Sequence, residues 1–208
     1  MKQVFRKIIL LAICITVSTV IFAQGTEWGV KAGVNIATQI PNITKITNGD
    51  IRTGAYVGLF AERRFSNFFG LQGEILYSEM GGKNKQYYGG YPSGHYGEGD
   101  YVEGELTFTS KNDYIVLPVL AKLYVAKKLS IDLGPQFAYM VGDKTEEDPT
   151  HHHYGSIGEK FDVLFGAGLS YKLGRFDISA RYNLGLVEIY DCSWRNNVIQ
   201  FGVGYRIK

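Results

Sequence analysis

From Trp28 to the end of the chain, apolar side chains recur at every second residue in eight separate runs, and the gaps between runs alternate strictly between long and short. The runs cover residues 28–36, 55–61, 69–77, 115–125, 129–139, 161–171, 176–186 and 199–207. A period of two is that of a β-strand with one apolar face. Three connections are tight, around Ser66-Asn67, Lys127-Lys128 and Gly174-Arg175. Four are long, at roughly 38–52, 82–105, 142–158 and 187–196. In an up-and-down antiparallel barrel every second connection lies at the same end, so one rim carries only turns and the other only loops. The pattern predicts an all-β chain of eight antiparallel strands closed in this way.

Alternation leaves open which face meets water. A soluble, lipocalin-like barrel points its apolar face inward and binds an apolar ligand, whereas a membrane barrel turns that face to lipid. The polar face decides between them. It is built of Gly, Ser, Gln and Asn, among them Gly58, Gln72, Ser78, Gly134, Gln136, Gly166, Ser179, Asn183 and Gly202. A water-exposed surface carries about 25–35% charged residues and few glycines. A narrow eight-stranded lumen, filled by its own side chains, needs small ones. On the opposite face, Trp28, Phe69, Tyr77, Tyr139, Phe161, Tyr171, Phe176 and Tyr205 cluster near strand ends, where interfacial aromatic girdles lie. Segments of about ten residues also match the length a tilted strand needs to cross the hydrocarbon. The sequence therefore predicts an eight-stranded antiparallel up-and-down transmembrane β-barrel, monomeric, with short periplasmic turns, long extracellular loops and a periplasmic N-terminus. Pro118 and Pro135 fall inside predicted strands, and each calls for a bulge or a local break near a rim, because a closed barrel has no edge to excuse a missing donor.

Residues 1–23 stand apart from this pattern. Lys2, Arg6 and Lys7 precede the apolar stretch Ile8–Phe22, and Ala23 is a small residue suited to cleavage before Gln24. This is the layout of a cleaved secretory signal, leaving residues 24–208 as the barrel domain. Its removal lowers the 22 basic residues to 19 against 20 acidic ones, turning a net charge of +2 into −1. Nucleic-acid binding then has no compositional support. Cys14 leaves with the signal, so Cys192 is the one thiol of the mature chain and forms no intramolecular disulfide.

With the Gly-rich face inside, the lumen also encloses Lys31, Glu62, Glu74, Lys122, Asp132, Asp162, Asp177, Arg181 and Arg206. Counted from the short-turn rim, Glu74, Lys122, Asp132 and Arg181 fall at similar heights, the first three on consecutive strands. They are the candidates for an internal ion-pair network that plugs the lumen, which would exclude general porin activity. The alternative is separate hydration of these groups at the barrel ends.

Chemistry-bearing motifs are sparse. His95, His151, His152 and His153 all lie in predicted loops, and adjacent histidines on one loop do not readily converge on a single ion. His95, Glu98 and Asp100 could supply a base and its orienter for a hydrolase at the loop rim, but no strand register fixes a nucleophile beside them. The surroundings, Tyr87, Tyr88, Tyr91, His95 and Tyr96 among glycines, fit an extracellular contact loop better. No catalytic residue, metal site or cofactor is assigned.

The strings Gly58–Gly82 (GLFAERRFSNFFGLQGEILYSEMGG), Tyr114–Gly142 (YIVLPVLAKLYVAKKLSIDLGPQFAYMVG) and Phe161–Leu186 (FDVLFGAGLSYKLGRFDISARYNLGL), with Phe201-Gly-Val-Gly-Tyr205, resemble the PorT-like family of small outer-membrane β-barrels. The resemblance runs over nearly the whole mature chain and rests on Gly and aromatic patterning rather than catalytic signatures. It implies an integral outer-membrane barrel of a Gram-negative bacterium, surrounded by outer-membrane lipid and inserted by the outer-membrane assembly machinery. That machinery reads the last strand and commonly prefers a terminal aromatic, where this chain has Ile207-Lys208. Some relatives are linked to protein secretion and gliding. The expected role is non-enzymatic: surface recognition or adhesion, or an accessory part in an envelope or secretion complex with an extracellular or envelope protein partner. A periplasmic lipocalin-like barrel and a loop-rim hydrolase are the alternatives.

Overall fold

A computed structural model of the chain describes residues 25–41, 49–88, 104–146, 160–186 and 194–207. It consists of strands β1 (Thr26–Pro41), β2 (Gly49–Asp50), β3 (Arg52–Arg64), β4 (Phe69–Tyr88), β5 (Gly104–Tyr124), β6 (Leu129–Glu146), β7 (Phe161–Leu173), β8 (Phe176–Gly185) and β9 (Trp194–Arg206). The two-residue β2 only adds a short pairing to the far end of β4. The other eight close a barrel in the order β1-β3-β4-β5-β6-β7-β8-β9, with β9 returning to pair with β1. All neighbours are antiparallel. The expected eight-stranded up-and-down barrel is therefore what the chain forms.

The period of two now has a direction. Along β8, Asp177, Ser179, Arg181 and Asn183 are buried while Phe176, Ile178, Ala180, Tyr182 and Leu184 are exposed. Apolar residues face outward and polar ones inward, the reverse of a water-soluble barrel, and this overturns the lipocalin-like alternative. Only a hydrocarbon surround makes such an outer wall favourable. Tyr77, Ile115, Tyr139 and Phe161 lie side by side in consecutive register positions, one row that is aromatic except at Ile115. Phe69, Tyr171, Phe176, Tyr205 and Trp28 form the other, close to the turns. Phe69 and Tyr77 are eight residues apart on β4, roughly 27 Å along a strand. Tilted by about 40°, that distance rises about 21 Å, a few ångströms short of the ~25 Å apolar band of such barrels.

Two expectations about the strands need correction. β4 and β5 stay paired as far as Tyr88 and Gly104, and β6 continues to Glu146, so the long connections expected at 82–105 and 142–158 are partly strand. Segments such as Lys83-Asn84-Lys85-Gln86 carry no apolar alternation, yet a hairpin beyond the membrane needs only its backbone partners. The prolines are met by breaks in pairing with register unchanged, and these lie within the belt between the aromatic rows rather than near a rim. The β4–β5 ladder lapses between Gly73↔Val119 and Leu76↔Val116, beside Pro118. The β5–β6 ladder lapses between Pro118↔Gln136 and Ala121↔Leu133, beside Pro135. Gly134, next to the second break, lies so close to the Val119 carbonyl that a Cβ there would collide with it. The one register shift between β5 and β6 falls elsewhere, at Asp113/Tyr114.

Candidate functional site

Inside the barrel, large side chains are received by glycines on the wall they meet. Tyr56, buried on β3, leans over Gly33 and Gly202, and a Cβ at Gly202 would collide with its hydroxyl. Small residues on β1 and β9 thus make room for large ones from β3, giving the volume complementarity that close packing requires.

The half of the lumen nearer the turns is charged. Lys122, on β5, has no exposure, and its Nζ lies 3.4 Å from Glu62 (β3), 3.5 Å from Asp132 (β6) and 3.8 Å from Asp177 (β8). It also donates to Gln72 Oε1 at 2.9 Å, and Gln72 Nε2 donates in turn to Glu74 Oε1 at 2.5 Å. Glu74 accepts from Lys31 at 3.0 Å and from both Arg181 terminal nitrogens at 2.9 and 3.2 Å. Ser130 and Ser170 donate to the two Asp132 oxygens. Nearer the rim, Arg206 donates to Glu62 at 3.1 Å, to Asp177 at 2.8 Å and to Glu27, while Lys172 and the Tyr124 hydroxyl both donate to Glu62.

Two of these ties cross the full bore. β4 and β8 stand four places apart on the eight-strand ring in either direction, so the Glu74–Arg181 pair joins opposite walls. β3 and β7 are likewise opposite, and Glu62–Lys172 joins them. The acids Glu27, Glu62, Glu74, Asp132 and Asp177 are matched one for one by Lys31, Lys122, Lys172, Arg181 and Arg206. Burial of so many charges is tolerable only with such pairing and hydrogen bonding.

Of the four residues singled out in the sequence, Lys122 and Asp132 are direct register partners, and Arg181 continues the same row through Gly168. Glu74 is not in that row: Lys122 pairs with Gly70, four residues before it. Strands in a closed barrel are staggered, so a register row climbs as it goes round the wall. Arg181 therefore meets Glu74, and Gln72 spans the step down to Lys122. Lys31, Glu62, Asp177 and Arg206 were expected to face the lumen and do so. Gln72, Tyr124, Lys172 and Glu27 were not expected in the network. Their signal was the inward parity of Gln72 and Tyr124, and the closeness of Lys172 and Glu27 to strand ends.

Towards the loops the interior changes character. Asn35 donates to Ser78 at 2.8 Å and accepts from Gln200 at 3.0 Å, and Gln136 donates to Asn183. Beyond this amide layer, Leu76, Met80, Tyr114, Val116, Ala138, Met140, Leu164 and Val198 form a buried apolar cluster within the lumen. Asp162 is buried there, with Asn196 donating to it at 3.0 Å.

The expected contact loop is only partly described. Tyr87 and Tyr88 end β4, paired with Glu105 and Gly104, while Tyr91, His95 and Tyr96 lie outside the described residues. So do Glu98, Asp100, His151, His152, His153, Cys192 and the segment 1–23. Among the described residues no group of three or more His, Cys, Asp or Glu is placed to hold a metal ion.

The fold has counterparts among solved structures. Neisserial surface protein A aligns with a TM-score of 0.50 at 15% identity, covering 88% of this chain and 99% of that one. Ail, the attachment invasion locus protein of Yersinia pestis, aligns with a TM-score of 0.47 at 14% identity, over 88% of this chain and all of that one. OprG of Pseudomonas aeruginosa gives 0.45 at 11%, over 88% and 94%. No curated protein matches the sequence. The family model described as "Outer membrane protein beta-barrel domain" matches residues 22–191. With that match over most of the chain, and a barrel apolar outside and polar within, the protein belongs to the outer-membrane β-barrel domain family and resides in the outer membrane.

Proposed function

We propose that this protein is a non-enzymatic, non-conducting outer-membrane barrel. In this reading the lumen is plugged and the work is done by the extracellular loops, in surface recognition or adhesion, or as an accessory part of an envelope or secretion complex. The observation that carries it is the bore-spanning Glu74–Arg181 pair, continued through Gln72 to the fully buried Lys122. Beyond it, Leu76, Val116 and Leu164 are fully buried in the apolar cluster. A solute path would have to break charge pairs in one half and an apolar core in the other. Cross-bore ties of this kind hold the wall rigid, which suits a scaffold that displays loops. The PorT-like resemblance supports the secretion or gliding variant of this role, and the Tyr- and Gly-rich segment around Tyr91, His95 and Tyr96 supports recognition.

Conductance tests the closed lumen. Folded protein reconstituted into planar bilayers is expected to give a flat baseline at moderate voltage. Discrete, reproducible single-channel steps from the purified protein would contradict the proposal.

A further inference from the structure

The rim that carries the short turns has a charge pattern that the lumen network does not use. The acids there are already held: Glu27 by Lys172 and Arg206, Glu62 by Lys172, Lys122 and Arg206, and Asp177 by Arg206. At the same rim, not buried in the lumen, stand Arg63, Lys127, Lys128 and Arg175, one or two from each of the three turn regions. Among the described residues none of these four is ion-paired to an acid. Arg64 is different, since it stacks 4.0 Å over the Tyr124 ring and donates to the Ser66 and Asn67 carbonyls.

Two of these cations, Arg63 and Arg175, are tied to the aromatic level of the membrane. The Arg63 guanidinium lies 5.5 Å from the centre of the Phe65 ring. Arg175 donates to the Tyr205 hydroxyl at 3.3 Å, and Tyr205 packs edge-on against Phe176. Phe65 and Phe68, in the first turn, are 55% and 68% exposed. The collar is also rigid, because each turn is pinned to the strand beside it. Tyr124 N donates to Phe68 O, Lys172 N to Lys128 O and Arg206 N to Arg175 O, all at 2.8 Å.

We propose that this collar is a binding surface for anionic phospholipid headgroups in the leaflet that surrounds the turn rim. The occupant must offer negative charge at the height of the aromatic row and apolar surface immediately beside it. A phospholipid offers both from one molecule: a phosphodiester for the arginine forks and lysines, and glycerol and acyl groups against Phe65 and Phe68. An acidic protein approaching from the aqueous side would meet the cations but leave the two phenylalanines to lipid. The inference rests on the barrel lying in a bilayer and is independent of whether the lumen conducts.

Trp28 is a built-in reporter. It is 44% exposed on the outer wall, pairs with Ala61 two residues from Arg63, and accepts a hydrogen bond from Ile207, next to the Arg206 that is pinned to the Arg175 turn. Of the two tryptophans, Trp194→Phe leaves Trp28 as the sole one, which is excited selectively at the red edge of the protein absorption, away from the tyrosines. The full barrel is placed in phosphatidylcholine bilayers containing a minor fraction of brominated phosphatidylglycerol or brominated phosphatidylcholine. Phosphatidylglycerol is expected to quench Trp28 with a preference of about fivefold, the attraction of one well-placed cation at an anionic surface. The preference should fall as salt rises. It should vanish in the combined Arg63→Gln, Lys127→Gln, Lys128→Gln and Arg175→Gln variant, whose folding is checked by heat-modifiable gel migration. If the variant does not fold, the salt titration of the wild-type collar decides alone. Equal quenching by the two lipids in the wild-type collar would overturn the proposal, as would a preference insensitive to salt. A preference that survives in the folded variant would also overturn it. Equal quenching in the wild type, together with loss of a co-purifying acidic protein in the variant, would assign the collar to a protein partner instead.

Discussion

Lys122→Ala should be the most damaging single substitution in the barrel. The side chain has no exposure, and its ammonium is within 4 Å of Glu62, Asp132 and Asp177 while donating to Gln72. Removing it does not merely delete favourable contacts, because Asp132 is left buried without its cation, while Glu62 and Asp177 lose one of the cations they share with Arg206. Leaving such a charge buried and uncompensated costs about 3–5 kcal/mol. Urea unfolding of the folded barrel in lipid vesicles should show this loss, with a lowered midpoint and earlier collapse of the heat-modifiable gel band. Adding Asp132→Asn to Lys122→Ala should recover part of the loss, since it removes one stranded charge. An unchanged midpoint for Lys122→Ala would mean that water already solvates the site and that the network does not plug the lumen.

The second large effect belongs to the other half of the interior. Leu76, on β4, is fully buried inside the apolar cluster formed with Tyr114, Val116 and Leu164, whereas its neighbour Ile75 faces outward and is half-exposed. Leu76→Ala should leave a cavity in a packed region and cost about 2–5 kcal/mol. Ile75→Ala changes only a contact with lipid, where acyl chains close over the gap, and should cost less. The two unfolding curves, measured side by side, read out which face is packed. Equal and small losses at both positions would contradict a solid upper lumen, because a water-filled bore would accommodate the truncated residue.

The two substitutions also mark where the amino-acid sequence was legible and where it was not. The alternation of Phe176, Ile178, Ala180, Tyr182 and Leu184 with Asp177, Ser179, Arg181 and Asn183 reads directly as a two-sided strand, and strand order follows from the long and short connections. Lys122 and Asp132 could be paired because a tight turn at Lys127-Lys128 fixes their register. Arg181 meeting Glu74 was harder to read, since the stagger that brings opposite walls together is a property of the closed barrel and of no local segment. Gln72 was missed as the link for a chemical reason: a neutral amide carries no charge signal, yet it can accept from an ammonium and donate to a carboxylate at once. The apolar cluster around Leu76, Met80 and Tyr114 was hidden because apolar residues on the inner face look, in one dimension, like flaws in an apolar-out pattern. The hairpin extension to Tyr88 was hidden for the converse reason, its pairing being carried by backbone alone.

The display of the long loops on the cell surface is the point on which recognition or adhesion turns, and Cys192 tests it directly. Intact cells are treated with a membrane-impermeant maleimide, treatment is repeated after the outer membrane is disrupted, and a denatured sample gives full labelling. Peptide mapping then assigns the label to Cys192, which lies in the connection between Gly185 and Trp194. Labelling in intact cells is expected, with loops outside and turns at the periplasm. Labelling only after disruption would put the loop rim in the periplasm and contradict a role at the cell surface.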